Sequence, residues 1–137
     1  MPSVRIGSSE QHTVDRIESG IYLFQLRGHL TMANAADLRA MAARDSASGP
    51  RATLYETTDE FTGYDPALRG MDPKVLLDGT QHIGIITRSA LSRMVTAAIA
   101  VGLRATMGIP MVTYSNLESA VEGARDALAR AGRKSER

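Results

Sequence analysis

His82-Ile83-Gly84-Ile85-Ile86-Thr87 and Pro110-Met111-Val112-Thr113-Tyr114 are two short apolar runs, and the segment between them, Ala90–Thr106, has helical spacing. A second helical segment, Leu117–Arg130, follows. A crossover of this length between two strands makes a parallel pair. The stretch from Gln81 to Arg130 therefore predicts an α/β domain with a largely parallel sheet.

On a helical wheel, Leu91, Met94, Val95, Ala98, Val101, Gly102 and Ala105 form one wide apolar stripe. Ile99 and Leu103 lie beside it, while Arg93 and Arg104 mark the wet side. The patch made by Ile99 and Leu103 has two readings. Either the helix is packed deeply between other elements, or the patch is a surface for self-association or a partner. The last helix places Leu117, Ala120, Val121, Ala124 and Leu128 inward.

Upstream, His12–Ile17 alternates and ends at the turn signal Glu18-Ser19-Gly20. Ile21–Leu26 alternates too, but with both faces mostly apolar, which predicts a central strand covered on both sides and hairpinned to its predecessor. A helix begins within Thr31–Asn34. Asn34 with Asp37 makes a weak capping box, and Thr31 is a rival cap. Its inward stripe is Ala35, Leu38, Met41 and Ala42. Ala52–Glu56 reads as a third strand, running into the polar, turn-rich Thr57–Asp65. Pro66 can open a helix over Ala67–Leu77 that Gly70 and Pro73 shorten or kink. The reading is a single domain over 12–131, with a flexible N-terminus over 1–11 and a charged tail over 132–137. The mixed, mostly parallel sheet has about five strands and about four helices.

Composition narrows the functional classes. With 137 residues, 43% of them hydrophobic and 23% charged, the chain can bury a real core. Sixteen basic and fifteen acidic side chains leave a net charge of +1, which gives no electrostatic reason to expect nucleic acid or an anionic membrane as partner. The absence of cysteine excludes disulfides, thiolate metal sites and cysteine nucleophiles. Met1–Ile6 lacks the apolar core of a signal peptide. The longest near-apolar run, Met94–Leu103, is roughly half of a membrane span. A cytoplasmic location is the expectation, with no cofactor and no metal.

Few residues invite a chemical reading. His12, His29 and His82 are scattered, with no pair at the spacing that puts two rings on one helical face. Asp59, Glu60 and Asp65 follow the third strand, at the sheet edge where open α/β folds bind ligands, but acid–base work also needs a pocket and a partner. Thr87-Arg88-Ser89 precedes a helix whose free N–H groups attract anions, with Ser89 as its cap. No glycine-rich phosphate loop and no G-x-S-x-G elbow occurs.

Several blocks resemble a known family. Ile21-Tyr22-Leu23-Phe24-Gln25-Leu26-Arg27-Gly28-His29-Leu30-Thr31, followed by Ala36-Asp37-Leu38, resembles the opening of STAS domains. Tyr55-Glu56-Thr57-Thr58-Asp59-Glu60-Phe61-Thr62-Gly63-Tyr64 is similar to the strand and Asp-x-x-x-Phe-x-Gly-aromatic block of the SpoIIAA-like branch, also called STAS/SEC14-like. His82–Ala90 with Arg93-Met94-Val95, and Val112–Ala120, are similar to that branch's later strands and helix starts. The resemblance covers residues 12–130 and implies a STAS-like fold. In anti-sigma-factor antagonists of this family a kinase phosphorylates a serine at the start of the second helix. Pro66 and Ala67 stand there in this chain, so that residue is not carried over.

Three functional expectations follow. The first is a non-catalytic cytoplasmic regulator that works by protein–protein contact, as a homodimer through Ile99 and Leu103. The second is a binding module for a small apolar or amphipathic ligand, as the kinship with SEC14-like domains implies. Met32, Met41, Met71, Met94, Met107 and Met111 would supply adaptable lining for either. The third is an enzyme using Asp59, Glu60 and Arg88. The expected ligand or partner edge comprises Thr57, Thr58, Asp59, Phe61, Tyr64, Thr87, Arg88 and Ser89, with no catalytic residue among them.

Overall fold

A computed structural model describes residues 3–47, 49–64, 80–86 and 111–135, and the side chains of all of these except 57–64 and 133–135. The elements run β1 (Val4–Ser9), β2 (His12–Glu18), β3 (Ile21–Leu30), α1 (Met32–Asp45), β4 (Arg51–Tyr64), β5 (Thr80–Ile86), β6 (Met111–Tyr114) and α2 (Leu117–Ser135). The six strands form one sheet in sequence order. β1–β2 and β2–β3 are antiparallel, whereas β3–β4, β4–β5 and β5–β6 are parallel. The mixed, mostly parallel α/β architecture is as expected, with six strands rather than about five. The expected helices over 67–77 and 90–106 lie outside the described residues, as do Ile99 and Leu103.

β3 shows why the chain makes a two-sided sheet. Ile21 and Leu23 face α2 and join Ala52, Leu54 and Ile86, over which Ala120, Val121 and Ala124 pack. Tyr22, Phe24 and Leu26 face the other way, where Val14 joins them and Leu38 and Ala42 of α1 cover them. All five of these β3 side chains are buried, so the central position read from the alternation holds. The predicted inward stripe of the last helix holds as well, with Leu117 and Leu128 at its partly buried ends.

Four expectations need correction. The N-terminus over 1–11 is not loose, because Val4–Ser9 pairs with β2 and Arg5 forms an ion pair with Asp15 across the two strands. Residues 132–135 continue α2 rather than starting a tail. β4 does not stop at Glu56 but runs on to Tyr64, because Gly28, His29 and Leu30 of β3 supply pairing partners. Ile85 is half-buried rather than fully buried, and Leu54, with no exposed surface, is the central core residue. Of the two caps that the sequence offers for α1, Thr31 is the one used: its hydroxyl accepts from the Asn34 N–H at 3.1 Å. Asn34 is thereby released to the interior, where it is buried.

No described helix is long and apolar enough to cross a membrane.

Candidate functional site

The expected ligand or partner edge falls partly on described backbone. Thr57, Thr58, Asp59, Phe61 and Tyr64 lie on the C-terminal part of β4, which outruns β5: the β4–β5 pairing ends at Glu56 opposite Ile86. Beyond that point β4 is held by β3, with Thr57 opposite Leu26, Phe61 opposite Gly28 and Tyr64 opposite Leu30. The register slips twice on the way, between Leu26 and Gly28 and again between Gly28 and His29. Such irregularities re-aim strands at sheet rims and beside binding sites. Thr87, Arg88 and Ser89 lie outside the described residues.

His12 and His82 serve the fold. His12 is buried, accepts at Nδ1 from the Arg27 N–H at 3.1 Å, and places Nε2 3.2 Å from the His29 carbonyl. An acceptor at Nδ1 leaves the ring proton on Nε2, which then donates to that carbonyl. The ring thus bridges the irregular segment at Gly28, whose φ of +71° suits glycine. His82 is 2% exposed and places Nε2 3.0 Å from the Tyr114 hydroxyl. Burial, reinforced by the positive charge of Arg130, holds its pKa below the usual histidine value. Among the described residues, no three His, Asp or Glu side chains are grouped to hold a metal ion.

Two further polar clusters tie α1 down. The Ser9 hydroxyl lies 2.9 Å from Asn34 Oδ1 and 3.1 Å from Asp37 Oδ2, linking β1 to the start of α1. At the far end of the helix, the Tyr22 hydroxyl donates to Asp45 at 2.6 Å, and Arg16 donates to both oxygens of the same carboxylate. The Tyr22 hydrogen bond, aided by Arg16, holds the Asp45 carboxyl below its usual range despite some desolvation. Burial and the Asp45 contact push the Tyr22 hydroxyl up to about 12.

Between α1 and the sheet lies a half-open cavity of about 250 Å3 that sequence reasoning missed. Ala36, Arg39, Ala40 and Ala43 form its helical wall, one stripe at i, i+3, i+4 and i+7. Phe24, Thr53 and Tyr55 line it from the sheet, and Arg51 and Thr80 from the starts of their strands. Phe24 and Tyr55 pack edge to face, with centroids 5.2 Å apart and planes at 81°. Burial pushes the Tyr55 hydroxyl up to about 12, against the opposing pull of Arg39 and Arg51, so it stays protonated as a donor. A signal for this site existed. In β4 the residues Arg51, Thr53 and Tyr55 alternate with the core residues Ala52 and Leu54, which places the polar set together on the other face.

No protein-family model matches the chain, and no curated protein matches it. A solved structure does: an uncharacterized protein of the DUF3478 family with a SpoIIAA-like fold, from Shewanella loihica PV-4. The two superpose with a TM-score of 0.60 at 12% sequence identity, over 90% of this chain and 96% of that one. At that identity the likeness speaks for architecture alone, and it agrees with the mixed sheet and flanking helices described above. The chain has the SpoIIAA-like fold.

Proposed function

We propose that this chain is a small, non-catalytic cytoplasmic regulatory module that acts by protein–protein contact at the C-terminal edge of its sheet. The observation that carries the reading is the overrun of β4. Residues 57–64 are paired to β3 on one side, while the β5 pairing has already ended at Glu56. Among the described residues 57–64 pairs on one flank alone, and a strand so placed offers backbone N–H and C=O groups to an incoming strand, a common mode of peptide recognition. The interior argues the same way. The polar groups around Ser9, His12 and His82 are spent on contacts that hold strands and helix together.

Affinity capture from the native host, followed by reconstitution with the purified partner, tests this. Hydrogen exchange of the reconstituted complex should show new protection at the amides of 57–64, with a saturable, stoichiometric complex. A partner that protects another surface, or no saturable partner at all, would overturn the reading. If the captured partner is a second copy of this chain, sedimentation will show a dimer that dissociates on dilution.

A further inference from the structure

We propose that His12 is an acid-sensitive latch: its neutral ring holds the end of β3, and with it the overrun of β4, and protonation of the ring releases both. The functional consequence rests on the contact edge proposed above, which is firm at neutral pH and loosened by acid. The β2–β3 ladder ends at Thr13 opposite Gln25, so Arg27 and His29 stand beyond the last backbone partner that β2 supplies. The His12 ring takes over from that strand. Nδ1 accepts from the Arg27 N–H at 3.1 Å, and Nε2 lies 3.2 Å from the His29 carbonyl. One acceptor and one donor thus meet two backbone groups on the same edge of β3, as a neighbouring strand would.

Only the neutral ring can do this. A backbone N–H is always a donor, so Nδ1 carries no proton, whereas an imidazolium has two N–H groups and no acceptor. A second proton therefore sets Nδ1–H against the Arg27 N–H. His12 is 1% exposed, so water cannot replace the lost acceptor unless the segment opens. The pairing defines what opens: Gly28, His29 and Leu30 are the partners of Phe61, Gly63 and Tyr64, and β5 has already left β4 at Glu56. The neighbouring charges do not offset the added one. Asp15, on the same strand as His12, is paired with Arg5 of β1. Glu10 after β1, Arg27 and His29 on β3, and Asp37 on α1 are exposed, where water screens them. Arg27 and His29 are themselves cationic or able to become so. The carboxylates of the β4 overrun are Asp59 and Glu60.

NMR of the free, full chain from pH 8 to pH 5 tests the latch without a partner, so its outcome and that of the contact-edge experiment are independent. At pH 8 the ring nitrogen shifts of His12 should show a proton on Nε2 and none on Nδ1. On acidification the Arg27 amide should shift with the midpoint of the His12 ring. Exchange protection at 27–30 and 61–64, corrected for intrinsic rates, should fall about tenfold relative to 21–25, the cost of one buried backbone donor left unpaired. His12→Gln keeps an acceptor and a donor on a side chain that does not titrate, so protection in this variant should stay level across the range. His29→Gln removes the other imidazole of the segment and should leave the Arg27 response in place. Should His12→Gln fail to fold, the wild-type measurements decide alone. The latch is overturned by a proton on Nδ1 at pH 8, by a ring that stays neutral to pH 5, or by an Arg27 amide that does not follow the ring. A response lost with His29, or a loss of protection equal at 21–25, overturns it too, because the first belongs to the other ring and the second to the whole fold.

Discussion

The hydroxyl of Tyr114, on the edge strand β6, lies 3.0 Å from Nε2 of His82, near the start of the neighbouring β5. The tyrosine ring passes Gly84, where an added Cβ would stand 3.0 Å from the ring, and it ends against Gly123 of α2. Among the described residues, His82 Nδ1 is buried without a hydrogen-bond partner. The neutral ring with its proton on Nε2, donating to Tyr114, leaves that orphan an acceptor rather than a donor, which is the less costly choice. The pair thus spends its polar groups on the fit between β5, β6 and α2.

Gly123→Ala should destabilise the protein, although it places alanine in a helix interior. The usual gain from that exchange is about 1 kcal/mol. Here the new Cβ would overlap the Tyr114 hydroxyl, and overpacking costs about 1–3 kcal/mol. Urea denaturation should show the loss in the wild-type background and a reversal of sign in a Tyr114→Ala background. A destabilisation that persists without the tyrosine would refute the assigned contact.

The His82 environment predicts a pH dependence. Burial lowers its folded pKa below 6.5, so on acidification the unfolded chain takes up its proton before the folded chain does. Stability attributable to His82 is present above pH 6.5 and is lost as pH falls from 6.5 through the folded pKa. Melting temperatures of wild type and His82→Gln, compared from pH 8 to pH 5, should converge on the acid side. A gap that does not change with pH would show that the ring titrates normally.

The sheet's two-sided character was legible because β3 has apolar residues on both alternating faces, and α2 because Ala120, Val121 and Ala124 recur at helical spacing. β1 was not. Val4-Arg5-Ile6-Gly7-Ser8-Ser9 has only two large apolar residues, and its pairing rests on β2 and on the Ser9 contacts with α1. The C-terminal part of β4 was hidden for a related reason. Thr57–Tyr64 has the composition of a turn, and only its pairing with β3 makes it a strand, a tertiary effect outweighing local propensity. The cavity is a third case. Its polar set follows strand alternation, but nothing local reveals that α1 faces it with alanines.

Leu54 and Ile85 separate the core from its margin. Leu54 has no exposed surface and one methyl packs against Gly84, whereas Ile85 faces the other side of the sheet and is half-buried. Leu54→Ala should cost about 2–5 kcal/mol, the range for a fully buried leucine. Ile85→Ala should cost clearly less. Equal costs in chemical denaturation would mean that the two faces are equally enclosed.

A kinase switch of the antagonist type should be absent. Phosphorylation adds nearly two negative charges and works well at a helix N-terminus, but Pro66 and Ala67 have no hydroxyl to modify. Intact-mass spectrometry of protein from its native host should show the unmodified mass. A stoichiometric phosphate on Thr57, Thr58 or Thr62 would restore the switch at a displaced position.

Ser9 should control the β1 edge. Its hydroxyl is the described side-chain link between β1 and the start of α1, reaching Asn34 at 2.9 Å and Asp37 at 3.1 Å. Ser9→Ala removes both contacts and leaves the buried Asn34 amide oxygen without that donor, a loss of about 1–3 kcal/mol. Thr31→Ala is the control, since it removes the helix cap and costs about 1 kcal/mol without touching β1. The two variants should differ in where they open the fold. Native-state hydrogen exchange in Ser9→Ala should speed up at the amides of Val4–Ser9 while β3 and β4 keep their protection, because an edge strand can open below the global unfolding energy. In Thr31→Ala the first turn of α1 should exchange faster instead. Uniform acceleration across the sheet in Ser9→Ala would show that β1 belongs to the cooperative core and does not open as a unit of its own.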